Sequence, residues 1–196
     1  MSTGKEDAID IQIKNMVCDR CVERVQEVLK HSGFQVESVN LGNARVNSES
    51  GNWETLKTQL SGAGFELVED EAAKRVEQIK AILIDHLNQL QNQTARPQRL
   101  SVLLTSKIPW HYEGLSRSFR QITGMTIERY FILLKIEKVK ELLEYGELTL
   151  AQIADRLGYS SSQHLSGQFK KETGVSVSEY RKSGVPVRKR LNEVGS

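Results

Sequence analysis

The sequence predicts a small α+β domain followed by an all-helical domain that uses one unit twice. Two observations carry this expectation. Between residues 9 and 68 the apolar spacing switches between a period of two and a period near 3.6, in the order βαββαβ. From residue 115 onward, Leu115, Ser116, Phe119, Thr123, Gly124 and Tyr130 return fifty residues later as Leu165, Ser166, Phe169, Thr173, Gly174 and Tyr180, without a gap. A repeat at a fixed offset marks one supersecondary unit present in two copies.

Charge divides the chain the same way. The net charge of +2 over 196 residues conceals −6 over residues 1–71 and +8 over residues 72–196. Only the second half therefore suits a polyanion, and a duplicated basic unit suits one with its own repeat, which is double-stranded DNA. The sequence has no apolar run near 18 residues and no cationic-then-apolar start, so we expect a cytoplasmic protein without a membrane span. The two cysteines, Cys18 and Cys21, stand too close together to staple a fold. In a reducing compartment such a pair reads as metal-binding or redox chemistry.

The elements follow in order. Ile9, Ile11 and Ile13 alternate with Asp10, Gln12 and Lys14, as in a half-buried strand. Val22, Val25, Val28 and Leu29 then form one helical face that ends near Ser32-Gly33. Val36, Val39 and Leu41, then Ala44 and Val46, predict a hairpin about Gly42-Asn43. Trp53, Leu56, Leu60 and Ala63 mark a second helix stopping at Gly62–Gly64, and Phe65, Leu67 and Val68 a last strand. The whole is a ferredoxin-like split βαβ sandwich over residues 1–70.

Residues 71–93 read as a charged connector helix with Val76, Ile79, Leu83, His86 and Leu90 spaced 3-4-3-4. The stripe suits either packing within the chain or a homodimer seam. The helical domain occupies residues 94–183 and a basic tail residues 184–196. Seven helices are expected in this half, with a long one near 127–145 joining the two copies. In the second copy a short helix ends at Gly158, Ser160–Ser162 cap the next, and Ile153, Ala154, Leu157, Leu165 and Phe169 form a shared core. That is a helix-turn-helix, whose second helix enters a major groove, and two of them reach successive grooves about 34 Å apart.

The residues Lys135-Ile-Glu-Lys-Val-Lys-Glu-Leu-Leu143, Ile153-Ala-Asp-Arg-Leu-Gly-Tyr159, Phe169-Lys-Lys-Glu-Thr-Gly174 and Tyr180-Arg181 resemble the AraC/XylS family DNA-binding domain. The resemblance implies a bacterial transcription regulator with no enzymatic activity. Its base-reading positions fall on Tyr112, Glu113, Ser116 and Arg117 in the first copy and on Ser162, Gln163, His164 and Ser166 in the second. Arg117 suits guanine and Gln163 adenine. Arg120, Lys170, Lys171 and Arg181 fall at phosphate-contacting positions, which position a protein without reading sequence. The chain departs from the family at Gly167, where an Arg is usual, at Val177 for Pro, and at Lys135 for Arg.

Cys18 and Cys21 lie between the first strand and the first helix, where free N–H groups and the helix dipole are expected to lower a thiol's pKa. Two soft ligands suit Cu(I) or Hg(II), whereas Zn(II) wants four. With the βαββαβ pattern, the stretch 8–70 resembles a heavy-metal-associated domain of the copper-chaperone kind, Gly64-Phe65 included. It departs at Asn15 and Val17, where Gly and Thr are usual. His31, His86, His111 and His164 show no ligand spacing.

Three functions follow. The first is a transcription regulator responding to a soft metal ion, Cu(I) favoured, at Cys18 and Cys21. The second is the same regulator responding to thiol oxidation. The third is a metallochaperone with the helical half as a targeting appendage.

Overall fold

The structure, a computed structural model, describes residues 8–183 together with Leu191 and Val194. The tail expected at 184–196 otherwise lies outside the described residues, as does the start of the first domain. The chain forms two compact units, Met1–Ile82 and Leu83–Ser196.

The first unit runs β1 (Ala8–Lys14), α1 (Asp19–His31), β2 (Val36–Asn40), β3 (Asn43–Asn47), α2 (Trp53–Gly62) and β4 (Glu66–Val68). The strands make one sheet in the order β2-β3-β1-β4, and every neighbouring pair is antiparallel. Ile11 pairs with Ala44 and Ile13 with Leu67. Ile11 and Ile13 join Val25, Leu29, Val46, Leu56 and Leu60 in one core, which α1 and α2 cover. Asn52 caps α2 by accepting a hydrogen bond from the Thr55 N–H at 2.9 Å.

Two expectations shift here. The alternation in β1 is imperfect, because Gln12 is buried and Ile9 is 40 % exposed. The hairpin turn sits at Leu41-Gly42, one residue earlier than predicted, and Asn43 already pairs with Gln12 in β3. Gly42 has φ +81°, and a Cβ there would lie 2.7 Å from the Ala81 Cβ and 3.2 Å from the Gln12 amide nitrogen. Both the conformation and the close approach demand glycine at that place. The face of the sheet opposite the main core is thus covered near Gln12, which explains why a polar residue is buried there.

The connector is one helix, α3 (Glu71–Gln91), and the division between the units falls inside it. Val76, Ile79, Leu83, His86 and Leu90 are all buried.

The second unit continues with α4 (Leu100–Lys107), α5 (Tyr112–Thr123), α6 (Ile127–Tyr145), α7 (Leu150–Arg156), α8 (Ser162–Thr173) and α9 (Val177–Ser183). Six helices follow α3 among the described residues, where seven were expected. The offset of fifty holds at every helix start: 100 and 150, 112 and 162, 127 and 177. It also holds inside the cores. Phe119 meets Tyr130 edge-on with centroids 5.4 Å apart, and Phe169 meets Tyr180 at 5.4 Å. Gly124 and Gly174 close α5 and α8 in the left-handed conformation. The central α6 packs against α5, α7 and α8, with Leu134, Val139, Leu142 and Leu143 buried. Lys138 and Lys140 are buried on α6 as well, each paired one turn away, to Glu141 at 3.2 Å and to Glu137 at 2.7 Å.

Candidate functional site

In the second copy, Thr149 and Gln152 form a capping box that starts α7, and α7 ends before Gly158. Gly158 takes φ +69°, reversing the chain, and a Cβ on it would lie 2.6 Å from the Pro97 Cγ. Ser161 then caps α8 by accepting from the His164 N–H at 3.1 Å. In the first copy the matching N-cap is His111, which makes no side-chain cap. Its turn is held by Trp110 instead: the indole packs so closely on Gly114 that a Cβ there would lie 3.1 Å from the ring.

These frames set the reading positions. On α5, Glu113, Arg117 and Arg120 are exposed and follow one another by four and then three residues, which places them on one face. Ser116 and Tyr112 are half-buried. The Tyr112 hydroxyl donates to the Glu128 carboxylate on α6, so it is committed within the protein. Burial and that carboxylate both push the Tyr112 pKa up. On α8, Gln163 and His164 are exposed, while Ser162 and Ser166 are half-buried. The Ser162 hydroxyl donates to Gln163 Oε1 at 3.3 Å, and Ser160 Oγ lies 3.1 Å from His164 Nδ1. Nothing lies within 4 Å of a Cβ built on Gly167, so the middle of α8 offers only backbone where α5 offers Arg117. Lys170 and Lys171 are exposed in the last turn of α8. Arg181 on α9 is exposed, with its guanidinium 3.5 Å from the Leu148 carbonyl.

Three features escaped the sequence reading. Trp110 stands beside α5, 38 % exposed, and only its mismatch with Ser160 in the repeat could have flagged it. Glu172, on α8, has a side chain only 2 % exposed; it accepts from the Arg129 guanidinium of α6 and from Gln168 Nε2 at 2.8 Å. Lys135 sits between two rings, Phe131 and Tyr159. The last two join residues far apart in sequence, which no periodicity reports.

In the first unit, Cys18 is the N-cap residue of α1 and is exposed, while Cys21 is half-buried in its first turn. Their sulfurs lie 3.4 Å apart. Asn15 holds the loop before them: it adopts φ +72°, and its Nδ2 donates to the Gly64 carbonyl at 2.9 Å. The loop thus contacts the Gly64-Phe65 turn, and Asn tolerates the left-handed region it takes there. One expectation is corrected. The Cys21 thiol is pushed up rather than down, because burial outweighs the backbone hydrogen bonds from Val17 and Cys18. Among the described residues, no group of three or more His, Cys, Asp or Glu could hold a metal ion. Also among the described residues, no helix is long and apolar enough to cross a membrane.

Comparison with known proteins bears on the second unit. Residues 111–183 match the family model described as a helix-turn-helix domain. The chain is 31% identical over 112 residues to the HTH-type transcriptional activator RhaS of Escherichia coli (strain SE11), covering 57% of this chain and 37% of that protein. The same protein of Escherichia coli (strain K12 / DH10B) matches at 31% over the same length. The chain thus spans under two fifths of the length of these curated relatives. Among solved structures, the C-terminal domain of AraT, a response regulator from Geobacillus stearothermophilus, is similar at 27% identity and a TM-score of 0.44. That likeness covers 52% of this chain and 84% of that one. Transcriptional regulator CdpR from Pseudomonas aeruginosa is 12% identical with a TM-score of 0.44, over 92% of this chain and 70% of that one. The duplicated helical unit and the matches to residues 111–183 meet in one conclusion: the C-terminal half of this chain is an AraC-type helix-turn-helix DNA-binding domain.

Proposed function

We propose that the chain is a sequence-specific transcription regulator whose first unit binds a soft metal ion, Cu(I) favoured, through Cys18 and Cys21. The observation that carries the DNA reading is the doubled helix-turn-helix, in which α5 and α8 recur at an offset of fifty residues with cations exposed on both. Arg117, Glu113 and Ser116 read bases from α5, and Gln163, His164, Ser162 and Ser166 from α8. Tyr112 contributes its ring rather than its hydroxyl, which Glu128 holds. Arg120, Lys170, Lys171 and Arg181 meet phosphates.

The first unit's order βαββαβ, with sheet order β2-β3-β1-β4, supports a ferredoxin-like sandwich of the heavy-metal-associated kind. Two sulfurs 3.4 Å apart at the start of α1 are near enough to share one ion. Cys18 and Cys21 would hold the ion, and Cys18 is exposed to take it up from solvent. When bound, the ion supplies charge and a fixed link between the loop and α1. Regulation then requires that the ion favour one DNA-competent arrangement over another. The helix α3 is the continuous covalent route between the units.

A second reading shares the DNA half and makes Cys18 and Cys21 a thiol switch. The same 3.4 Å favours it: an oxidant such as a peroxide would take two electrons from the pair, the two thiol protons would leave, and the sulfurs would close to about 2.05 Å as the disulfide forms. Anaerobic titration of the reduced protein with Cu(I) against a competing chelator separates the two. Tight binding of one ion per chain, lost in Cys18→Ser/Cys21→Ser, supports the metal reading. Weak binding unchanged in that variant overturns it.

A further inference from the structure

A row of side chains in the second unit runs from α3 to the start of α8. On α3, His86 stacks on Phe131 of α6 with centroids 6.0 Å apart and planes at 23°. One turn further along α6, the Lys135 ammonium lies 5.1 Å from the Phe131 ring centre and 4.9 Å from that of Tyr159. Tyr159 belongs to the turn between α7 and α8, directly after Gly158. Its ring in turn meets His164 of α8 edge-on, at 5.5 Å and 82°.

We propose that Lys135 is a positioning residue for DNA reading: by holding the Tyr159 ring against α6 it fixes the turn, and through His164 the angle at which α8 meets the major groove. The inference rests on the DNA reading above and assigns it a residue remote from the bases.

Three observations favour this over mere packing. The Tyr159 hydroxyl is buried without a hydrogen-bond partner, so no polar bond at that atom places the ring. The ring instead meets the Lys135 cation over its face and the His164 ring in a T-shaped contact. Second, the ammonium is costly where it sits, because burial pushes the Lys135 pKa down to about 8. Two ring faces offset part of that cost by attracting the charged form. An apolar side chain would fill the same space with no desolvation cost, so the charge contributes geometry more than stability. Third, the turn has little other freedom, with Gly158 pressed against Pro97.

The test compares wild type with Lys135→Met, Lys135→Arg, Tyr159→Phe and Tyr159→Leu. A duplex is first selected from random sequence with the full-length wild-type protein, and each variant is measured on it and on a scrambled duplex. Lys135→Met is expected to weaken specific binding roughly three- to tenfold. Its affinity for the scrambled duplex, its salt slope and its thermal midpoint should stay unchanged or, for the midpoint, rise. Lys135→Arg, which keeps a cation over the rings, should rescue the loss, and Tyr159→Phe should behave as wild type. Lys135→Met and Tyr159→Leu should not add when combined, because they remove one interaction. Equal losses on both duplexes, additive losses, or full specific binding by Lys135→Met would each overturn the proposal. A wild-type protein that prefers no duplex would instead overturn the DNA reading, a result recognisable before any variant is made.

Discussion

The two helix-turn-helix copies share a frame and differ at their exposed positions. Leu115 and Leu165, Phe119 and Phe169, and Tyr130 and Tyr180 are buried alike, and the ring pairs sit at the same 5.4 Å. At the exposed positions the copies part. Glu113 faces Gln163 in the alignment, Gly114 faces His164, and Arg117 faces Gly167. The turns differ too, one wedged by Trp110 and the other built on Gly158 and capped by Ser161. Burial holds the shared positions, because a buried side chain must fit its neighbours, whereas an exposed one answers only to a ligand. The teaching is that one scaffold carries two unlike exposed faces, because the buried positions are held alike and the exposed ones are not.

The comparison breaks most visibly in the cores. Phe119 and Phe169 are both fully buried, so Phe119→Ala and Phe169→Ala should each cost about 3–5 kcal/mol of unfolding free energy. Denaturant unfolding of the two variants checks this. A large inequality would mean that the copies do not share one cooperative transition through α6.

On the reading faces, Arg117→Ala should weaken specific binding by about 1–3 kcal/mol and leave binding to a scrambled duplex nearly intact. An equal loss on both would reassign Arg117 to a phosphate and remove the sharpest difference between α5 and α8. The turns come next. Gly158→Ala forces a side chain into φ +69° and against Pro97 at 2.6 Å, and should cost about 1–3 kcal/mol. Thermal unfolding beside Gly114→Ala, whose clash at 3.1 Å falls on the Trp110 indole alone, shows which turn is the more rigid.

Much of this was legible in the sequence, and what was not has a physical reason. The offset of fifty placed the six helix starts, because the apolar residues that carry a repeat also make the core. The succession of strands and helices in the first unit followed from its switches of period. The turn at Leu41-Gly42 came one residue early, since a side chain has no room beside Ala81 and only the fold reveals Ala81 there. Gln12 was read as solvent-facing because alternation describes one covered face, and this sheet is covered on part of the second. For the cysteine pair, spacing gave the juxtaposition of the sulfurs, but burial, which reverses the pKa shift at Cys21, depends on the packing of Cys21 against the core. The Lys135 contacts with Phe131 and Tyr159 were invisible because one partner is 24 residues away.

The smallest effect sharpens the comparison further, because it should go the other way. Gly167 lies in the interior of α8, exposed, with nothing within 4 Å of the Cβ it lacks. A glycine in that setting costs helix stability through backbone entropy and gives nothing back in packing. Gly167→Ala should therefore stabilise the protein by about 0.5–1 kcal/mol, read as a rise in the thermal midpoint. If α8 approached DNA so closely that only a bare backbone fits, the same methyl would lower specific affinity. If α8 merely spans the groove at that point, affinity would be unchanged while stability rises. The two outcomes divide cleanly, and they decide whether the second copy has lost a reading side chain at this position or has exchanged it for a closer approach of the helix itself.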